Sequence, residues 1–305
     1  MRVLPCCLAV ICVVAPAFGG PSAPLRYRWK PGEVVRYRIT ARITGSMPLF
    51  QSPEPIDLDA TLRTVFRARV IAADAQSATL AVGVESADAE VANIPLSVPM
   101  EQVQKIISLT VRLAANGDVT NVTGGEPLPF DLAIPGVDPK RLYALMFPVV
   151  FPDGPPKKGE EWDFASELLG GKGSAASFRA TLKSIGQQGS GGPVLVGTRF
   201  AMPVDQQVPA KEARPGEIGS PAKDRKGEIE GEGSFRYSSG GARLRQGQVE
   251  IRANLVERLL GPAPAPEAPT ETRTKITARI DVRLEPASKP ARTTRPSASS
   301  ARKGR

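Results

Sequence analysis

The chain has 305 residues, 41% of them hydrophobic, and a formal net charge of +9. That is enough apolar material for one large or two modest domains, and the charge invites a search for an anionic partner. There is no histidine, and Cys6, Cys7 and Cys12 are the only cysteines, so downstream of Cys12 thiolate nucleophiles, imidazole bases, the Ser-His-Asp triad and the common zinc ligand sets are excluded.

The first segment, "MRVLPCCLAVICVVAPAFGG", reads as a signal peptide over residues 1–19. Arg2 supplies the basic start, Val3 to Val14 the apolar run, and small residues permit cleavage after Ala17 or after Gly19. The run falls short of the about 20 apolar residues a membrane span needs. Cys12 follows Ile11 rather than a small residue, which argues against lipid attachment. The expected product is exported, periplasmic or extracellular, and free of disulfides.

Next comes "LRYRWKPGEVVRYRIT", from Leu25. Leu25, Tyr27 and Trp29 alternate with Arg26, Arg28 and Lys30; beyond Pro31-Gly32, Val35, Tyr37 and Ile39 alternate with Arg36, Arg38 and Thr40. The pattern predicts a β-hairpin with aromatics inward and arginines outward. An RNA platform needs aromatics and cations on the same exposed face, so the parity speaks against nucleic acid.

Period-2 alternation then predicts strands at 34–44, 60–71, 78–85, 108–113, 119–122, 177–185, 194–200, 233–237, 242–259 and 275–284. Asn116-Gly117 predicts a two-residue hairpin turn with both residues at φ > 0, and Gly240-Gly241 another. "DPKRLYALMF" predicts a short helix, with Asp138 as N-cap, Pro139 at the first position and Pro148 as the stop. "MEQVQKIISL", from Met100, reads equally as a second helix or as the lead-in to a strand.

Three segments recur in the same order. "KPGEVVRY" (Lys30) is echoed by "KKGEEWDF" (Lys157), "VFRARVI" (Val65) by "SFRATLKSI" (Ser177), and "LTVRLAANGDVTNV" by "GSFRYSSGGARLRQGQV" (Gly233). A duplicated β-unit follows. The expected fold is mainly β and antiparallel, two similar curved sheets packed as a sandwich or closed into a partial barrel, with one or two short helices. Residues 20–152 form the first β half and 153–260 the second, which carries a long flexible loop near 203–233. A Pro/Ala spacer (261–269) leads to a final strand (270–285) and a disordered basic tail (286–305).

The tail holds Lys289, Arg292, Arg295, Arg302, Lys303 and Arg305 and no acidic residue, so most of the net charge sits there. These six are the candidate contacts to anionic lipid or cell-wall polymer. Catalytic candidates are few. Ser220 to Lys223 match Ser-x-x-Lys, but Gly219 and Pro221 place them in a loop, and neither Ser-Asp-Asn nor Lys-Thr-Gly occurs. Glu160, Glu161 and Asp163 surround Trp162; a charged turn with Trp162 entering the core accounts for them. Asp57 and Asp59 share one parity, as on a solvated face. No EF-hand spacing occurs, and no cofactor is expected.

The Lys-x-Gly-Glu turn between alternating strands, the hairpin "VRLAANGDVTNV" and the run "FPVVFPDGPPKKGEEW" together resemble a family of uncharacterised exported bacterial β-rich proteins, a domain of unknown function. The resemblance spans most of residues 25–260 and implies a structural rather than a catalytic set of motifs. The functional expectation is an exported, non-catalytic β-protein that binds an apolar ligand or assembles with envelope partners. The alternative is a carboxylate-dependent hydrolase of envelope polymers. That alternative requires two Asp/Glu side chains converging in a pocket at about 5–9.5 Å.

Overall fold

In a computed structural model, residues 24–48, 55–92, 94–97, 99–126, 139–169, 177–185, 193–208, 210, 222–238, 243–260 and 270–286 are described. Residues 1–23, Asp138, Ser220, Gly240-Gly241, the Pro/Ala stretch 261–269 and the basic residues from Lys289 to Arg305 lie outside them.

The strands are β1 (Val34–Pro48), β2 (Pro55–Ala73), β3 (Ser77–Val91), β4 (Ile94–Leu96), β5 (Leu109–Ala114), β6 (Val119–Gly124), β7 (Glu161–Phe164), β8 (Ser177–Ile185), β9 (Val194–Val208), β10 (Lys223–Tyr237), β11 (Leu244–Leu259) and β12 (Glu271–Leu284). "MEQVQKI" is helical, as α1 (Met100–Ile106), and short 3₁₀ helices occupy Pro139–Met146 and Glu167–Leu169. Several strands are far longer than the usual five or six residues; the 15 residues of β1 extend about 50 Å at about 3.3 Å each.

All strands belong to one antiparallel sheet, in the order β6-β5-β3-β2-β1-β12-β11-β10-β9-β8-β7, with β4 on the outer part of β3. This corrects the expectation of two sheets. The join is β12, which pairs with β1 from Tyr37↔Leu284 to Ser46↔Lys275 and with β11 from Gln246↔Arg283 to Arg258↔Glu271. Period 2 dictates which face of β12 is buried, and Ile276, Ala278, Ile280 and Val282 are each at most 2% exposed. It does not dictate which strands flank it.

The expected loop near 203–233 is also corrected. β9 runs through to Val208, β10 begins at Lys223, and the two pair from Lys223↔Val208 to Tyr237↔Val194. Glu228, Glu230 and Glu232 form the exposed outer side of β10. Glycines occupy much of its inner side, and a Cβ on Gly231 would lie 2.5 Å from the Phe200 ring. Alternating charge and glycine mimic linker composition, but here Phe200 of the neighbouring strand takes the space at Gly231, and Thr198 with Phe235 crowds that at Gly233.

The opening stretch keeps its parity but is not a hairpin. Leu25 and Tyr27 are buried and Arg28 is exposed, yet residues 24–30 are not strand. The Tyr27 N–H bonds to the Ala115 carbonyl (2.7 Å), carrying the segment across to the β5–β6 turn. That turn differs from expectation too. Gly117 has φ +99°, but Asn116 does not have positive φ. Gly117 N–H donates to Ala114 O (2.9 Å) and Ala114 N–H to Asp118 O (2.8 Å), giving a three-residue loop with glycine at its left-handed position.

The repeat is plain in the backbone. In both Lys-x-Gly-Glu turns the Glu N–H bonds to the Lys carbonyl at 3.0 Å, and the Glu carboxylate accepts from the Lys N–H. Gly32 (φ +80°) donates to Val70 O, and Gly159 (φ +82°) to Leu182 O. Val70 and Leu182 hold matching places in the echoed strands, and each is followed by a bulge, at Val70/Ala72 and at Leu182/Ser184.

One face of the sheet is apolar over most of its length. Cross-strand registers define rows on it: Leu62, Ala41, Ile280, Val249 and Gly233 form one, and Leu58, Gly45, Ile276, Ala253, Ile229 and Met202 form another. At one end the face is sealed. Tyr27, Phe151 and Tyr237 meet at ring-centroid distances of 5.2–6.1 Å, and Leu142, Leu145 and Met146 of the 139–146 helix are at most 2% exposed. Gly117–Val119 beside β6 and Phe164–Glu167 beside β7 line one small cavity with Phe147, Pro148 and Val150. The two edges of the sheet therefore approach one connecting segment, and the sheet is rolled around its apolar side.

Candidate ligand-binding face

The outer face carries the arginines, and many of them are paired with carboxylates. Arg36 reaches Glu85 (2.7 Å), Arg38 reaches Glu285 (2.6 Å), and Arg279 reaches Glu250 (3.0 Å). Arg26 binds the Pro152 carbonyl at 2.7 Å. A dish of about 440 Å³ on this face is lined by Arg179, Arg199, Arg252, Glu230, Glu232 and Glu250, with Ser177, Phe200, Ala201 and Gly231. Glu232 and Glu250 are opposite one another in the ladder. A hydrogen bond from Arg252 holds the Glu250 carboxyl below the usual glutamate range, and Arg279 adds to it. That is the reverse of what a general acid requires.

The carboxylates around Trp162 and its indole lie on opposite sides of the strand. Asp163 accepts two hydrogen bonds from Arg179 (2.7 and 3.3 Å), which hold its carboxyl low. Glu161 accepts from Thr181 (3.3 Å) and Arg199 (3.5 Å), while Glu160 caps the turn at Lys157. The Trp162 indole points the other way and donates to Val150 O (2.7 Å). Carboxylates and indole thus cannot flank one sugar. Asp57 and Asp59 are exposed. Among the described residues no cluster of Asp, Glu, His or Cys could hold a metal ion.

The inner face carries the more specific chemistry. Away from the aromatic seal it stays apolar, but Met47, Ile56, Leu58, Leu62 and Met202 are only half-buried. At the same end the β3–β4 hairpin exposes Val91, Ile94 and Leu96. Inner-face positions of the described strands are apolar, Gly, Thr or Gln, with three exceptions: Lys223, Arg225 and Glu257. These three lie together. Arg225 and Glu257 are ladder partners. Arg225 Nε donates to Glu257 at 2.6 Å and Lys223 Nζ at 2.9 Å. Their side chains are 21%, 15% and 11% exposed, for Arg225, Lys223 and Glu257. Burial pushes the Glu257 carboxyl up, but the two cations outweigh it and hold it below the ordinary glutamate range. The Ser-x-x-Lys reading therefore has its lysine committed to a carboxylate.

Sequence reasoning missed this cluster because it placed Lys223 and Arg225 in a loop. The signal was present: Lys223, Arg225 and Ile229 share the parity of Phe235 and Tyr237. The six tail residues, Lys289 to Arg305, lie outside the described residues.

No family model matches the chain, and no curated protein matches it. Among solved structures it is similar to a lipovitellin chain described for its lipid-protein interactions (11% identity, TM-score 0.45), covering 87% of this chain and 27% of that one. It is also similar to the Salmonella typhi porin OmpF in complex with daunomycin (7% identity, TM-score 0.28), covering 86% of this chain and 100% of that one. A third is the COG4313 outer membrane channel of Pseudomonas putida F1 (10% identity, TM-score 0.20), with 85% and 97% covered. The chain thus spans about a quarter of the lipovitellin chain, and likenesses this distant bear no weight in assigning a function. Among the described residues no helix is long and apolar enough to cross a membrane.

Proposed function

We propose that the chain is an exported, non-catalytic binding protein of the β-rich family its motifs resemble, and that its rolled sheet holds an apolar ligand. The observation that carries this reading is the gradient along the inner face. At the sealed end Tyr37, Phe66, Tyr237 and Leu244 are 0% exposed. At the other end the same apolar face continues, but Met47, Leu58, Leu62 and Met202 are only half-covered. Apolar side chains that a fold leaves half-covered on a curved face favour a ligand that completes their burial.

The test is native mass spectrometry of the full exported protein purified from its own envelope, before and after organic extraction. A retained apolar molecule lost on extraction is the expected result. Identical masses, together with failure to bind any apolar probe, overturn the reading. Assembly with an envelope partner and contact of the basic tail with anionic lipid or cell-wall polymer extend the same proposal.

A further inference from the structure

The arginines of the outer face are not spread evenly along the strands. Midway along them one ladder row runs Arg199, Glu232, Glu250, Arg279 and Arg42, and carboxylates answer the cations in it. Four residues nearer the sealed end the row is Arg236, Gln246, Arg283 and Arg38, with Leu195 at one side and Val65 at the other, and no carboxylate stands in it. Arg36 and Arg67 face one another in the next row, and Arg69 follows beyond them. Glu85 and Glu285 stand among these side chains and Asp281 borders them, so six arginines meet three carboxylates. Arg69, Arg236 and Arg283 are exposed, and the Arg38 side chain is 61% exposed even with Glu285 at 2.6 Å.

Arg283 and Arg38 are direct ladder partners. Like charges so placed destabilise a sheet, and a bound anion offsets that cost. From Arg236 on β10 to Arg67 on β2 the stripe crosses four strand spacings, about 19 Å at about 4.8 Å each. It runs across the strands and therefore around the roll, on its convex side. A planar bilayer touches a convex surface along one line and would meet few of these heads, whereas a flexible chain follows the curve. All six cations are arginine, whose planar fork takes two oxygens of one phosphate. The chain also leaves the described fold here. Glu285 N–H bonds to Arg36 O (2.9 Å), and six more basic residues, with no acidic one, follow from Lys289 to Arg305. We propose that this stripe is the docking site of a linear, flexible, phosphate-bearing polymer of the cell envelope. The stripe orients the polymer across β10 to β2, and the tail adds charge to the same site. This inference is independent of the apolar-ligand reading and gives the tail contact a counterpart on the fold.

The experiment uses the full exported chain with the six basic residues from Lys289 to Arg305 replaced by glutamine, so that binding reports the fold alone. The probes are long-chain inorganic polyphosphate and phosphatidylglycerol vesicles, at about 0.1 M salt, where exposed charges more than about 10 Å apart are screened. Polyphosphate is expected to bind and the vesicles not. In that background Arg236→Gln with Arg283→Gln should lower polyphosphate affinity about tenfold, since each removes one exposed charge contact. Arg258→Gln with Arg273→Gln removes the same charge at the other end of the strands, Arg273 being about 33 Å from Arg283 along β12, and should leave the affinity within about twofold. All four heads are exposed, so melting temperatures should not move; if the first pair unfolds the chain, Arg283→Gln is compared with Arg273→Gln in the same way. Equal losses at the two ends show attraction to net charge alone and overturn the stripe. Vesicle binding that the stripe variants abolish while polyphosphate binding stands overturns it as well. If polyphosphate does not bind at all, the stripe falls and the apolar-ligand reading is untouched.

Discussion

Three glycines with positive φ offer a controlled measurement of how tightly the sealed end is packed. Gly32 and Gly159 sit at the matching turns of the repeat, with φ +80° and +82°, and a Cβ on either would meet nothing within 4 Å. Gly117 has φ +99°, and a Cβ there would lie 2.5 Å from the Tyr27 ring and 2.6 Å from the Val149 carbonyl. Substitution by alanine at Gly32 or Gly159 therefore costs backbone strain alone, about 1–2 kcal/mol. At Gly117 the same strain is joined by overpacking against backbone and a buried ring, worth about 1–3 kcal/mol more. The expected order is Gly117→Ala the most damaging, at about 3–4 kcal/mol, with Gly32→Ala and Gly159→Ala equal to one another. Urea denaturation at constant m-value reads the differences directly. If Gly117→Ala costs no more than Gly32→Ala, the Tyr27 ring is not seated against the β5–β6 turn, and the description of the sealed end fails. If Gly32→Ala and Gly159→Ala differ by more than their errors, the structural equivalence of the two turns fails.

Trp29 is half-buried and stacks on Tyr27 at 6.5 Å, so Trp29→Ala should cost about 2 kcal/mol, roughly half of a full core truncation; Arg28→Ala should stay within about 0.5 kcal/mol by thermal melting. Glu257 has a lowered folded pKa, so its stabilising effect is complete above the unfolded value of about 4.3 and is lost as pH falls through the folded value. Acid denaturation of Glu257→Gln should accordingly show a shallower loss between about pH 4.3 and lower pH than the unmodified protein, and an identical slope would refute the pairing. Deleting the chain after Pro286 should leave the melting temperature unchanged and remove salt-sensitive binding to anionic vesicles; a large drop in melting temperature would show that Lys289 to Arg305 dock on the fold.

Local features were legible in the sequence. The Lys-x-Gly-Glu turns, the inward aromatics, the helix at "PKRLYALM" and the inner parity of Ile276 to Val282 all follow from periods and turn residues that act over a few positions. What escaped was set by distant partners. Nothing in β1 names β12 as its neighbour, some 240 residues away in the chain and joined only by ladder bonds, so one sheet was read as two. Lys223 and Arg225 escaped because a strand of charge and glycine has the composition of a linker; only pairing with Val204 to Val208 and Leu255 to Leu259 makes it a strand.

The repeat also explains why a single sheet results and why it is sealed at one end. In chain order, β1, β2, β3, β5 and β6 of the first copy correspond to β7, β8, β9, β10 and β11 of the second. In space the copies follow one another around the roll, which creates two junctions of the same kind: the last strand of one copy beside the first strand of the other. Between β11 and β1 the junction is filled by β12, which satisfies both edges with main-chain hydrogen bonds. Between β6 and β7 no strand is inserted among the described residues. There the connecting segment takes the place of a strand, with Phe151 N–H bonding to Asn116 O (2.8 Å) and Val150 O accepting from Trp162 (2.7 Å). A strand filler leaves the inner face free along its length, whereas a helical filler must bury its own apolar side chains. Leu142, Leu145 and Met146 therefore turn inward and close one end of the face. The duplication alone would give an apolar roll open at both ends; it is the different filling of two equivalent junctions that leaves one end sealed by aromatics and the other lined by half-covered apolar side chains and the Lys223, Arg225 and Glu257 group.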